Sequence, residues 1–259
     1  MTSGSDVVLD RRGPISVVRL NRPEARNALT PGVVSDLGAA IVEAESDPDI
    51  RALVLTGTGD RAFCAGMDLR SFAAGAVPGL GADASTTAFH RLLRGETSVP
   101  IVGAANASAV AGGLELLLGC DLVVASSAAR FGLPEVQRGL FAAGSGTALA
   151  RRIPMAVALE IVLTGELFSA TRAYEVGLVN AVVAPEEVLA TALAYAERIA
   201  GNAPLGVAAG KALVPLWVTD AHAAAARLDE WRAKVFASED AAEGAAAFME
   251  KRAPVWRGR

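Results

Sequence analysis

Two glutamates stand where acid–base chemistry could use them. Glu115 interrupts the leucine run of GGLELLLGCD (112–121), just beyond the Gly112-Gly113 pair. Glu135 follows Pro134 in FGLPEVQRGL (131–140), twenty residues further on. Apolar surroundings disfavour the charged form of a carboxylate and raise its pKa, which suits a general acid or base near neutral pH. Gly112-Gly113 reads as a loop entering a helix, whose first N–H groups lack internal partners. A second turn of this kind occurs at FCAGMDL (63–69), where Gly66 precedes another helix start. Two backbone donors converging from separate loops would form an oxyanion hole suited to a thioester enolate, each worth ~3 kcal/mol in the transition state. In the plainer reading Glu115 caps its own helix and Glu135 is a surface acid after a proline. Spacing alone supports both equally.

Other chemical motifs are poorer. TGTGDRAFCAG (56–66) contains Gly57-x-Gly59-x-x-Ala62, a permitted variant of the dinucleotide fingerprint. Asp60, Arg61 and Phe63 open a phosphate-cradling helix badly, and no acidic residue follows where ribose recognition needs one, so a tight turn is the better reading. AGSGTA (143–148) departs from the nucleophile elbow at both glycine positions. His90 and His222 are the only histidines, Cys64 and Cys120 the only cysteines. A metal centre is therefore not expected, nor is a disulfide framework or a Ser-His-Asp triad.

The elements that must position these residues follow from periodicity. ISVVRL (15–20), RALVLTG (51–57), PIVGAA (100–105) and DLVVASS (121–127) read as buried strands, and after LVNAVV (178–183) the character of the chain changes. A helix follows Thr30, its cap, and Pro31, with Val34, Leu37, Ile41 and Ala44 on one face. Strands alternating with helices indicate an α/β fold. Residues 71–88 have no clear period and read as a loop. From Pro185 the pattern is helical, with breaks expected near 201–204 and 215–220.

Composition narrows the partners. A 259-residue chain that is 52% hydrophobic can bury a large core. Its net charge of -4 supplies no basic field, so nucleic acid is not an expected partner. The N-terminus lacks the apolar stretch of a secretory signal, and no apolar run reaches membrane-spanning length. A cytoplasmic protein with no membrane partner is expected.

Four segments occurring in order, NRPEARNAL (21–29), AFCAGMDL (62–69), AGGLE (111–115) and FGLPEVQRGL (131–140), resemble the enoyl-CoA hydratase/isomerase (crotonase) superfamily. The tail EGAAAFMEKRAPVWRGR (243–259) is similar to family members too, so the resemblance spans essentially the whole chain. It implies a crotonase-like spiral of ββα units over residues 1–200 and a helical oligomerisation region over 201–259. It also implies a homotrimer or a dimer of trimers. The N–H groups of Met67 and Gly112 would form the oxyanion hole. Glu115 would act as base and Glu135 as acid, and the Ala143 N–H would support the catalytic water. Coenzyme A would be bound by Glu24, Ala25, Arg26, Ala65 and Gly66. Phe248 and Lys251 would reach its adenosine phosphate end, often from a neighbouring subunit.

The implied activity is reversible hydration of a 2-enoyl-CoA, with no metal or redox cofactor and with coenzyme A entering as part of the substrate. Segment 71–90 would line the acyl pocket. Departures from the pattern are Ala107, Ala111 and the Ala142-Ala143 pair, where glycine, glycine and Pro-Gly are usual. The tail is closest to the carnitinyl-CoA dehydratase branch. An isomerase, a carnitinyl-type dehydratase, a non-catalytic acyl-CoA-binding relative and a nicotinamide-dependent oxidoreductase stand as alternatives.

Overall fold

The apolar, β-branched runs become the middle of a sheet, where both faces are covered and no polar alternation is needed. The computed structural model describes residues 5–75, 79 and 81–259. In chain order its elements begin with β1 (Val7–Arg12), β2 (Ile15–Leu20), α1 (Pro31–Ser46), β3 (Ala52–Gly57), α2 (Leu69–Ala73), α3 (Ala84–Arg94), β4 (Ile101–Ala105), β5 (Ala109–Val110) and α4 (Gly112–Leu118). They continue with β6 (Leu122–Ser126), β7 (Arg130–Gly132), α5 (Met155–Thr164), β8 (Phe168–Ser169), α6 (Ala170–Glu175), β9 (Ala181–Val183), α7 (Val188–Ala200), α8 (Pro204–Thr219), α9 (Ala221–Phe236) and α10 (Glu239–Glu250). Packing divides the chain into units 5–196 and 197–259, with the division inside α7.

In the first unit the larger sheet runs β1-β2-β3-β4-β6-β9, antiparallel at β1/β2 and parallel beyond. Every residue of β3 and β4 is buried. β1 is different: only Val7 is fully buried, and its Asp10, Arg11 and Arg12 suit an edge exposed to water. A smaller sheet, β5-β7-β8, pairs β5 with β7 in parallel. It carries the chain from Ala109 to the start of α4. Helix α1 starts where expected, with the Thr30 hydroxyl accepting from the Val33 N–H at 3.2 Å and Pro31 at its first position. Its buried face, Val33, Val34, Leu37, Ile41 and Ala44, joins the sheet residues in one core.

The second unit consists of helices held by a folded-back tail. The buried carboxylate of Asp240 accepts from the N–H groups of Arg257 and Gly258 at 2.7 and 2.9 Å. The Trp256 indole donates to the Gly201 carbonyl at 2.8 Å. Pro215 does not break α8, which continues to Thr219; the interruption expected over 215–220 narrows to Asp220, which caps α9. Among the described residues no helix is long and apolar enough to cross a membrane.

Candidate active site

Three loops of the first unit are stitched together around Gly66. In the first, Arg26 and Asn27 both take φ of 54°, a conformation asparagine tolerates better than most residues. The buried Asn27 side chain accepts from the Arg22 N–H at 2.9 Å and donates to the carbonyls of Thr58 and Ala62 at 3.0 and 2.9 Å. That fixes the 3-10 turn Pro23–Ala25 against the chain leaving β3. Residues 65–68 then run beside 26–29: the Ala65 N–H donates to Arg26 O at 3.1 Å, Leu29 to Gly66 O at 2.8 Å and Asp68 to Leu29 O at 2.9 Å. On its other side the strap is held by Phe63 N–H to Ser108 O at 2.9 Å and Val110 N–H to Cys64 O at 3.1 Å. Asp68 ends it by capping α2, with Arg22 at 3.4 Å from its carboxylate.

The third loop enters α4 through Ala111, whose φ of 54° and ψ of -128° belong to a region glycine favours. For alanine such a conformation costs ~1–3 kcal/mol and persists only when its surroundings enforce it. Here the Ala111 N–H donates to Gly132 O at 2.9 Å, and its carbonyl accepts from the Glu115 N–H at 3.1 Å. The two glycine turns consequently touch. A Cβ on Gly66, itself at φ +86°, would stand 3.1 Å from the Gly112 nitrogen; one on Gly112 would stand 3.8 Å from the Met67 nitrogen. The amides of Met67 and Gly112 thus lie in one small region, across a contact that a side chain at position 66 would prevent. A Cβ on Gly113 would meet the Cys64 carbonyl oxygen at 2.1 Å.

Glu115, in the first turn of α4, is only 6% exposed. Its Oε1 accepts from the N–H groups of Gly144 and Gly146, each at 2.9 Å, and the Ser145 hydroxyl donates to its main-chain carbonyl at 3.2 Å. Burial pushes the Glu115 pKa up, and the amide hydrogen bonds oppose that rise in part. Glu135 sits at the second position of the 3-10 turn Pro134–Arg138. Its Oε2 is buried and has no hydrogen-bond partner among the described residues. Burial raises its pKa first and the charge of Glu115 raises it further, against its own amide and Arg138. A negative charge on Glu115 disfavours a second one on Glu135. Such a site can polarise a carbonyl and move a proton beside it.

The structure therefore brings together Arg26, Ala65, Gly66, Met67, Gly112 and Glu115, with Glu135 close enough to feel the charge of Glu115. Glu24 and Ala25 lie in the turn just before Arg26. Phe248 and Lys251 belong to the second unit, where Phe248 is 85% exposed and Lys251 ends α10 at φ 54°. Ala143 immediately precedes Gly144.

The loop expected over 71–88 is corrected at both ends: residues 71–73 belong to α2, which Asp68 caps, and α3 begins at Ala84 because the Asp83 carboxylate accepts from the Thr86 N–H at 3.0 Å. Within that segment, residues 76–78 and 80 lie outside the described residues. No helix follows β3 before Leu69, so the Gly57-x-Gly59 turn lacks the helix that a dinucleotide site requires. Sequence reasoning missed Asn27, Gly144 and Gly146. A signal for the last two existed: AGSGTA, set aside as a nucleophile elbow, offered two close-approach glycines a few residues beyond Glu135. Among the described residues no group of three or more histidine, cysteine or acidic side chains could hold a metal.

Comparison with known proteins bears on this geometry. Residues 10–259 match the enoyl-CoA hydratase/isomerase family model. The chain is 40% identical to (E)-benzylidenesuccinyl-CoA hydratase of Thauera aromatica, over 97% of this chain and 99% of that protein. It is 36% identical to carnitinyl-CoA dehydratase of Proteus mirabilis, over 97% of this chain and 98% of that one. The crystal structure of an enoyl-CoA hydratase from Mycobacterium tuberculosis H37Rv superposes with a TM-score of 0.90 at 39% identity, covering 99% of this chain and all of that one.

Proposed function

The chain belongs to the enoyl-CoA hydratase/isomerase family of crotonase-fold proteins, and we propose that it is a hydro-lyase adding water reversibly across the 2,3 double bond of a 2-enoyl-CoA thioester. The supporting observation is the contact that puts the Met67 and Gly112 amides side by side, with the buried Glu115 in the first turn beyond them. In this reading the two N–H groups hold the thioester oxygen, withdrawing charge from C3 and stabilising the enolate that forms on attack. Glu115 takes a proton from water as its oxygen bonds to C3. Glu135 gives its proton to C2 as the enolate collapses. The sum is one water added, with a proton moved from one carboxyl to the other. The Ala143 amide would help to hold the water. Each step balances without a metal or redox cofactor.

Coenzyme A would lie along Glu24, Ala25 and Arg26 and the backbone of Ala65 and Gly66, its adenosine end reached by Phe248 and Lys251 of a neighbouring subunit. The helices after 200 would form an oligomer interface, giving a trimer or a dimer of trimers. Val214, Trp217, Val218, Phe236, Phe248 and Met249 are exposed large apolar side chains of the kind that mark protein contacts. A cytoplasmic location fits this metabolic role.

The test is substitution of each acid. Glu115→Gln and Glu135→Gln should each lower hydration by roughly 10²–10⁴-fold while acyl-CoA binding stays nearly intact. Wild-type turnover by Glu115→Gln on the true substrate would refute the two-carboxylate mechanism. The match to a carnitinyl-CoA dehydratase supports a second reading, the same chemistry run as elimination on a carnitine-derived acyl group. Assaying crotonyl-CoA, a 3-enoyl-CoA and crotonobetainyl-CoA side by side separates hydratase, isomerase and dehydratase.

A further inference from the structure

The direction of the Met67 amide is set from behind. In a trans peptide the carbonyl and the N–H point opposite ways. The Gly66 carbonyl, which shares its peptide with the Met67 N–H, accepts from the Leu29 N–H at 2.8 Å. The Met67 N–H therefore faces away from Leu29. Leu29 and Met67 pair as an isolated parallel bridge. Just beyond it each chain leaves for a helix, α1 at Pro31 and α2 at Leu69, so no ladder continues past the pair.

One guanidinium closes that gap. Arg22 Nη1 carries two hydrogens and donates to the Ala28 carbonyl at 2.9 Å and to the Asp68 carboxylate at 3.4 Å. A single nitrogen thus spans the residue before Leu29 and the residue after Met67. Arg22 Nε stands 3.6 Å from the Asp6 carboxylate, a third anchor. Asp68 is gripped from two sides, Oδ2 by Arg22 and Oδ1 by the N–H groups of Arg70 and Ser71 at 3.0 and 3.2 Å. The side chains of Arg22 and Asp68 are 20% and 15% exposed, so water screens the pair less than an ordinary surface ion pair.

We propose that Arg22 is a positioning residue for the oxyanion hole: by clasping Ala28 and Asp68 it holds the Leu29–Met67 bridge in register and keeps the Met67 amide aimed at the thioester oxygen. This rests on the two-amide reading above. Without the clasp, the Gly66–Met67 peptide is free to rock about its one bond to Leu29.

Asp68→Asn isolates the clasp, because asparagine caps a helix about as well as aspartate but offers Arg22 no charge. Arg22→Met removes the donors and keeps an unbranched stem. The experiment compares both with wild type in steady-state crotonyl-CoA hydration, in thermal melts and in the absorbance of cinnamoyl-CoA bound at saturating enzyme. Donors on the thioester oxygen draw charge along the conjugated chain and move its band to longer wavelength. The expected result is a kcat lowered about 10–100-fold, a KM within about threefold of wild type, and a smaller band shift in both variants. A bound probe that keeps the full wild-type shift in either variant overturns the proposal, even if that variant melts earlier, because the clasp is then structural alone. If Arg22→Met does not fold, Asp68→Asn decides alone. A wild-type enzyme that leaves the band unmoved on binding would instead sink the two-amide reading itself.

Discussion

Gly113 touches no reacting atom in the proposed mechanism, yet replacing it by alanine should cripple the enzyme. The added Cβ would lie 2.1 Å from the Cys64 carbonyl oxygen, 2.8 Å from its carbon and 2.9 Å from the Cys64 Cβ. Ordinary contact begins near 3.4 Å, and two of the three obstructing atoms are main chain, so no side-chain rotation relieves the clash. The start of α4 must therefore separate from the chain at Cys64 by about 1 Å. Gly112 moves with it, because the peptide bond leaves no slack. A misplacement of about 1 Å at a reacting centre can cost about 100-fold in rate, and loss of one oxyanion donor costs about 10²–10³-fold. The expected fall in kcat is thus about 100-fold, with an overpacking penalty of ~1–3 kcal/mol in stability. Loss of the enoyl-thioester absorbance reports kcat, titration with a saturated acyl-CoA reports binding, and a thermal melt reports the fold. A Gly113→Ala protein that melts like wild type and turns over like wild type would refute the reasoning that this glycine contact sets the amide pair.

Ala111→Gly should raise stability by about 1 kcal/mol in denaturant titration, because release of ~1–3 kcal/mol of backbone strain exceeds the entropic cost of glycine; a destabilised variant would contradict it. Asn27→Ala removes three hydrogen bonds from a buried side chain. It should cost about 2–3 kcal/mol and raise KM for acyl-CoA, read by chemical denaturation and steady-state kinetics. The raised pKa of Glu135 fixes a sign as well. A carboxyl that holds its proton more tightly when folded adds stability below its ordinary value of 4.5, and that stability is lost as pH rises through the folded value. Glu135→Gln should therefore gain on wild type in thermal melts as pH rises above the ordinary value of 4.5 and through the folded value. The opposite trend would mean that the carboxylate is stabilised where it sits.

Strands with continuous apolar character were legible in the sequence. ISVVRL is β2, and the runs at 51–57, 100–105 and 121–127 are β3, β4 and β6 to within a residue or so at each end. β1 was not legible, because an edge strand buries one residue of VVLDRR and reads as polar. Nor were β5 and β8: two-residue strands have no period, and partners distant in sequence define them. Segment 71–88 misled because the Asp83 cap that starts α3 is a single local bond in small-residue surroundings. At the site, Glu115 and the Gly66 and Gly112 turns announced themselves by residue type, a carboxylate among leucines and glycines before helices. The grip on Glu115 by Gly144 and Gly146 was hidden because backbone donors leave no side-chain signature. Asn27 was hidden because its partners are all main-chain atoms.

The most direct trial is a crystal structure of the enzyme with a bound 3-hydroxyacyl-CoA product. Two nitrogens, those of Met67 and Gly112, should each lie about 3 Å from the thioester oxygen, with Glu115 Oε2 beside the C3 hydroxyl and the Glu135 carboxyl beside C2. A thioester oxygen turned away from both nitrogens, or a 3-hydroxyl remote from both acids, would contradict the central claim.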